Sequence, residues 1–289
     1  MQPLQAQEPA RLLAFLLKEL TTLKRTRVKQ MLKFGSVQVN GEIITSHSHP
    51  LKKGDKVSFI GKKEATAERA KTRLPFRIEY EDEDVLVVDK PAGLLTVSTE
   101  SEKEYTLYFA VTAYVRTVQK ESRVFIVHRL DRDTSGLLVF AKHMQAKLFL
   151  QSNWDQAVKE YTAVTEGRPR SDEGTIRSSL AEDKFRRVYK SGEKGAKESI
   201  THYRVIKSNG RYSLLELSLG TGRKNQIRVH LADEGTPVAG DYKYGAATDP
   251  IGRMALHASF LSFPHPANIE KTLAFNSPAP PDFTALCRS

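Results

Sequence analysis

The chain has 289 residues, 39% of them hydrophobic, and a formal net charge of +11; that is enough for a full core and suggests one large and one small domain. The excess of Lys and Arg points to a partner rich in phosphate. No apolar run approaches the roughly 20 residues of a membrane span, no signal peptide is expected, and the single cysteine, Cys287, excludes an internal disulfide or thiolate zinc cluster and fits a reducing cytoplasm.

From Arg11 to Leu20, helical spacing places Leu13, Leu16, Leu17 and Leu20 on one face. A second helix is predicted to run to Lys33, with Val28, Met31 and Leu32 inside and Gly35 as its stop. Its other face gathers Lys24, Arg25, Arg27, Lys29 and Lys33. Val37 and Val39 then alternate with polar residues into Asn40-Gly41, a hairpin signal. Leu51 to Ile60 adds a strand after the Lys53-Gly54-Asp55 turn, with Val57 and Phe59 on one side. A basic face alone is ordinarily just a solvated face, but this order of elements resembles the alpha-L RNA-binding module. The resemblance implies a module over residues 1–60 in which Lys24, Arg25, Arg27 and Lys29 hold RNA phosphates. Residues 61–75 read as a charged linker, and 76–289 as the large domain.

In the large domain, Val85 to Val88 reads as a buried strand leaving through Asp89-Lys90-Pro91-Ala92-Gly93, with Leu94 to Val97 continuing it. Leu107 to Val115 has helical spacing. Val124 to Val127 and Leu137 to Phe140 are strand-like runs flanking the turn His-Arg-Leu-Asp-Arg-Asp-Thr-Ser-Gly, His128 to Gly136; taken alone, this could be a salt-bridged surface turn. A helix over Lys142 to Trp154 follows, then Lys159-Glu160-Tyr161 opening a strand to Thr165, and exposed hairpins and loops between Arg168 and Ser199. Two strands, Thr201 to Ile206 and Tyr212 to Leu219, lead into Gly220-Thr221-Gly222-Arg223-Lys224-Asn225-Gln226-Ile227-Arg228. That Gly-rich turn into a short helix could by itself be an anion site with Arg223 at its start. Leu256 to Ala258 is a core strand. The irregular alternation shows no repeated βαβ unit, so the class is α+β. The eight histidines have no His-Glu-x-x-His spacing, and no metal is expected.

Three ordered stretches, Tyr80 to Gly93, His128 to Gly136 and Gly222 to Arg228, make the large domain similar to pseudouridine synthases of the large-ribosomal-subunit type. The resemblance implies a mixed, largely antiparallel sheet around a central cleft, and an enzyme that isomerises uridine in RNA without a cofactor. It assigns Asp131 as the catalytic aspartate, Arg228 as its partner, Tyr161 as the residue that stacks on the target base and assists proton removal, Arg129 as the residue that enters the RNA helix when the uridine leaves, and Asp89 to Gly93 as a turn that supports the site without catalysing. Asn225 stands where the family usually has histidine; an amide does not titrate near neutrality, so a structural hydrogen bond is expected there. Ribosomal RNA is the expected substrate and transfer RNA the alternative. Two other classes fit parts of the pattern: a noncatalytic RNA-binding or ribosome-assembly factor, and a glycoside hydrolase pairing Asp131 with Asp133.

Overall fold

The structure, a computed structural model, describes residues 3–23, 25–33, 36–44, 46–59, 74–99, 102 and 105–288. Lys24, Gly35, the side chain of Lys33 and all of the expected linker except residues 74 and 75 lie outside the described residues. The chain divides into two compact units, residues 1–74 with 111–123 and residues 75–110 with 124–289.

The first unit contains β1 (Leu4–Gln5), β2 (Ala10–Arg11), α1 (Leu12–Glu19), α2 (Arg25–Lys33), β3 (Val37–Val39), β4 (Glu42–Ile43), β5 (Pro50–Leu51) and β6 (Lys56–Phe59). The order β1-β6-β3-β4 makes an antiparallel sheet, and β2 pairs with β5. Val28, Met31 and Leu32 of α2 are buried against Val37, Val39 and Val57, as their spacing predicts. On α1 the buried set is Leu12, Phe15 and Leu16, while Leu13, Leu17 and Leu20 pack at its margin. All four expected leucines thus meet the core, with Leu12 and Phe15 joining Leu16 at its centre. Asn40 and Gly41 both have positive φ, 52° and 90°, as a two-residue hairpin turn of the primed type requires. Arg25, Arg27 and Lys29 are exposed.

The second unit is built on β7 (Arg77–Glu81), β8 (Val85–Lys90), the first turn of α3 (Leu107–Val118), β9 (Phe125–Ile126), β10 (Ser135–Ala141), α4 (Met144–Ser152), β11 (Val158–Glu166), β12 (Glu173–Glu182), β13 (Val188–Lys190), β14 (Lys197–Ser208), β15 (Tyr212–Leu219), α5 (Gln226–Asp233), β16 (Leu256–His265), β17 (Asn268–Asn276) and α6 (Pro281–Leu286). The sheet runs β13-β12-β14-β15-β11-β16-β10-β8-β7, with β17 beside β16 and β9 beside β10. Among the described named strands, only β10 and β16 pair in parallel, so the unit is the expected mixed, largely antiparallel α+β fold. One core cluster joins β8 and β10 to Ala146 and Leu150 of α4, and another joins β11 and β15 to Ile227 and Leu231 of α5. Among the described residues no helix is long and apolar enough to cross a membrane.

Leu94 to Val97 does not continue β8. Gly93, at φ 81°, turns the chain aside, and Leu95 makes only an isolated bridge to Thr106. Asp82, Asp84 and His265 gather within 4.8 Å, where Asp82 accepts from Tyr80, His265 and the backbone of residues 84 and 85, closing the β7–β8 turn.

The parallel contact of β10 with β16 depends on Gly136, whose φ is 111°; a Cβ there would lie 2.2 Å from the Ala258 carbonyl oxygen. Gly136→Ala should therefore cost about 3 kcal/mol or more, from backbone strain and overpacking together. Urea denaturation of the full chain measures this, and a midpoint equal to that of the unsubstituted chain would contradict the close approach.

Candidate active site

Asp131 sits on the loop between β9 and β10, and the loop is fastened on both sides. The Thr96 hydroxyl donates to the Leu130 carbonyl at 2.7 Å. Lys90, fully buried at the end of β8, donates to the carbonyls of Pro91, Leu94 and Arg132 at 2.9, 2.8 and 2.9 Å. Burial draws Lys90 down to about 7, with Asp133 and Asp131 pulling it back up. Three acceptors use all three N–H groups of the ammonium, so this geometry belongs to the charged form. It ties the turn after β8 to the residue following Asp131. At the start of the loop, Nε2 of His128 accepts from the Val139 amide at 3.2 Å. Burial, helped by the charge of Lys159, lowers His128 to about 3 and leaves it a neutral acceptor.

The opposite wall is the turn before α5. Gln226 locks this turn: its Oε1 accepts from the Thr221 hydroxyl at 2.7 Å and the Arg223 amide at 3.0 Å. Its Nε2 donates to the Ile200 carbonyl at 2.9 Å and the Thr201 hydroxyl at 3.0 Å. Every polar atom of that buried side chain is thereby used. Asn225 occupies the left-handed region, φ 52° and ψ 20°, a conformation asparagine tolerates better than most residues. Its Nδ2 donates to Oδ2 of Asp131, and its Oδ1 accepts from the Tyr244 hydroxyl at 3.1 Å. The expected structural hydrogen bond is thus made, to the aspartate itself.

Arg228, on the first turn of α5, joins the walls. Its Nη1 donates to Oδ2 of Asp131 at 2.9 Å, and its Nε and Nη2 grip Asp241 at 2.6 and 2.8 Å. The Asp241 side chain is 2% exposed and that of Arg228 11%. Burial opposes the guanidinium's charge, but the bonds and charges of Asp241 and then Asp131 more than reverse this and raise its pKa above the ordinary value. The Tyr244 ring lies beneath, 4.9 Å from the guanidinium carbon, in cation–π range.

These walls enclose a cleft of about 980 Å³. Its described lining includes Asp131, Tyr161 on β11, Trp154, and the cations Arg129, Arg132, Lys159, Arg186, Arg223, Lys224 and Arg228, against the carboxylates Asp131 and Glu182. Burial, then the charge of Asp131, raises the pKa of Tyr161 above its ordinary value, so its phenol is neutral. The geometry brings Asp131, Tyr161, Arg228, Arg129 and Arg223 to one space. Arg25, Arg27 and Lys29 belong to the other unit. In the sequence, Asp89 to Gly93, which include Lys90, are expected to support the site, whereas Asp241 and Tyr244 fall within the resemblance without a role; the burial of all three is visible only in the structure.

The sequence profile described as RNA pseudouridylate synthase matches residues 84–233. An RNA pseudouridine synthase of Bacillus subtilis (strain 168), described as uncharacterized, is 36% identical over 276 residues, 93% of this chain and 90% of that one. Ribosomal large subunit pseudouridine synthase D of Vibrio cholerae is 32% identical over 282 residues, 92% and 86% of the two chains. Among solved structures, human RNA pseudouridylate synthase domain containing 4 aligns at TM-score 0.61 and 24% identity over 77% of this chain and 94% of that one. Human RNA pseudouridylate synthase domain containing 1 aligns at 0.58 and 26%, over 71% and 84%.

Removing the guanidinium would leave Asp241 buried without its bidentate partner. Arg228→Met should therefore destabilise the unit by about 3 to 5 kcal/mol. Chemical denaturation tests this, and an unchanged midpoint would mean that the pair is not buried as described.

Proposed function

Since the chain belongs to the RNA pseudouridylate synthase family and is an RNA pseudouridine synthase, we propose that it isomerises uridines of structured ribosomal RNA in the cytoplasm, with Asp131 as the catalytic carboxylate. The observation that carries this reading is Asp131 in the wall of a cation-lined cleft, bonded by an arginine whose other edge is held by a second carboxylate. The choice of ribosomal over transfer RNA rests on the large-subunit relatives. Asp133, the second carboxylate that a hydrolase would need, is not among the described residues lining the cleft.

In the reaction the N1–C1′ bond of the nucleoside breaks, the uracil turns, and a C5–C1′ bond forms. The C5 proton leaves and N1 gains a proton, so no oxidant or reductant enters. Asp131 acts at the ribose, by attack on the anomeric carbon or by taking a ribose proton; both routes use its ionised form, to which Arg228 supplies a counter-charge and Asn225 a second hydrogen bond. A stacked uridine is out of reach, so the enzyme flips it out at a cost of a few kcal/mol, which contacts to the RNA offset. Arg129, exposed at the cleft, enters the space the base leaves. The neutral phenol of Tyr161 favours stacking on the target base over removing a proton from it. In the first unit, Arg25, Arg27 and Lys29 of α2 hold RNA phosphates, and Lys24 extends the same charged run; the exposure of the three described side chains supports this.

Asp131→Asn should abolish uridine conversion while leaving RNA affinity close to normal, because the change removes charge at the reacting centre and few phosphate contacts. Release of tritium from RNA labelled at uracil C5 reads the chemistry, and substantial residual turnover would sink the assignment. Changing Arg25, Arg27 and Lys29 together to Gln in the full chain should weaken RNA binding and flatten its salt dependence by about 0.7 to 0.9 in log affinity against log salt per lost contact. Titrations at several salt concentrations measure both effects; the same affinity and slope would mean that α2 does not touch the RNA.

A further inference from the structure

Building on the RNA substrate proposed above, we propose that Phe185 is a stacking platform for an RNA nucleobase flanking the target uridine. β12 and β13 pair as far as Glu182 and Val188, and residues 183–187 form the tip between them. No other large apolar side chain among the described residues is as exposed as Phe185, at 79%. Its backbone is nonetheless held firmly. Asp183 Oδ1 accepts from the amides of Phe185 and Arg187 at 2.8 Å each. The Asp183 amide donates to the Arg187 carbonyl at 2.9 Å, and the Arg186 amide to the Asp183 carbonyl at 2.9 Å. Lys224, from the turn that carries Asn225, donates to the Arg186 carbonyl at 3.1 Å and pairs with Glu182.

A rigid tip presenting an aromatic ring to water lowers the ordering cost of binding to that ring. The surroundings specify what binds. Lys184 lies 5.1 Å from the Phe185 ring centroid, Arg186 lines the cleft and Arg187 lies over the Tyr244 ring, so the tip that carries the ring is cationic on three successive neighbours. A flat π partner embedded in negative charge meets both conditions, and that is a base in a phosphate chain. Glu182 and Arg186 also line the catalytic cleft, which puts the tip at the rim where nucleotides next to a flipped uridine would pass. The hairpin is further tied to the chemistry: the Val188 amide donates to the Tyr244 hydroxyl at 3.3 Å, and that hydroxyl donates to Asn225, which bonds Asp131.

The test uses the full chain with Phe185→Ala, Phe185→Leu, Phe185→Trp and Lys184→Ala. Each is titrated by fluorescence anisotropy with labelled oligouridine and with large-subunit ribosomal RNA transcribed in vitro, across a range of salt. Stacking on a base predicts that Phe185→Ala weakens binding roughly 5- to 100-fold at every salt concentration without changing the slope. Phe185→Leu should do the same, and Phe185→Trp should retain affinity. Lys184→Ala should flatten the single-strand slope by about 0.7. If Phe185→Ala coincides with the unsubstituted chain, as it would were the tip a protein-docking site, the proposal is overturned; full affinity in Phe185→Leu overturns it too. Should the unsubstituted chain convert no uridine in the transcript, the substrate reading above fails, while the oligouridine titrations still decide the platform.

Discussion

One guanidinium serves two carboxylates. Asp241 takes the Nε edge of Arg228 in a fork that fixes the plane of the group, and this sets the directions of the two Nη1–H groups, one of which points at Asp131. Lysine could not replace this geometry, since a point charge with rotatable donors does not transmit orientation from one acceptor to another. Two anions on one cation leave the cluster of three with net negative charge, which would be costly unless the outer carboxylate remained open to solvent and to other donors. That is the arrangement found: Asp241 is nearly inaccessible, whereas the Asp131 side chain keeps 27% exposure toward the cleft.

The two partners are 97 residues apart in the chain, and the sheet brings them together. Asp131 is delivered by the strand pair β8 and β10, whose facing residues are almost all buried, and by the three carbonyls that converge on Lys90. Arg228 is delivered by α5, which packs Ile227 and Leu231 into the core cluster of β11 and β15. β16 lies between the halves, antiparallel to β11 and parallel to β10, so the distance between the walls depends on how closely β10 and β16 approach at Gly136. A second set of buried bonds guards the same junction. Ser135 Oγ bonds His257 Nδ1 at 2.8 Å and accepts from Arg253 at 2.8 Å, while His257 Nε2 donates to the Ser277 carbonyl at 3.0 Å.

Much of this was legible in the residues. The alternation around Asn40-Gly41, the apolar runs on either side of His128 to Gly136 and the helical spacing of Val28, Met31 and Leu32 reflect local rules of period and turn chemistry, and they placed their elements correctly. The failures came where tertiary packing decides. Leu94 to Val97 looks like strand but is spent on a turn that lets Thr96 reach Leu130, and on α1 Leu12 and Phe15 share the centre of the buried face with Leu16 while the other leucines pack beside them. At the site, charge alone did not single out the turn, since charged turns are ordinary; the order of residues from His128 to Gly136 did, through its resemblance to a known signature. Asp241 and Tyr244 did not, and Lys90 was placed only within a supporting turn, because the part each plays lies in its burial and in the partners that folding brings to it. Asn225 was readable as a departure from histidine, but its left-handed backbone and its bond to Asp131 required the structure.

The claim on which everything else rests is that this clamp makes Asp131 a working catalyst on cellular RNA. It is tested most directly by mapping pseudouridines across the RNA of cells that lack the chain and of the same cells with it restored. Particular uridines in large-subunit ribosomal RNA should lose the modification in the absence of the chain and regain it with the unsubstituted chain. An identical pseudouridine map with and without the chain would contradict it.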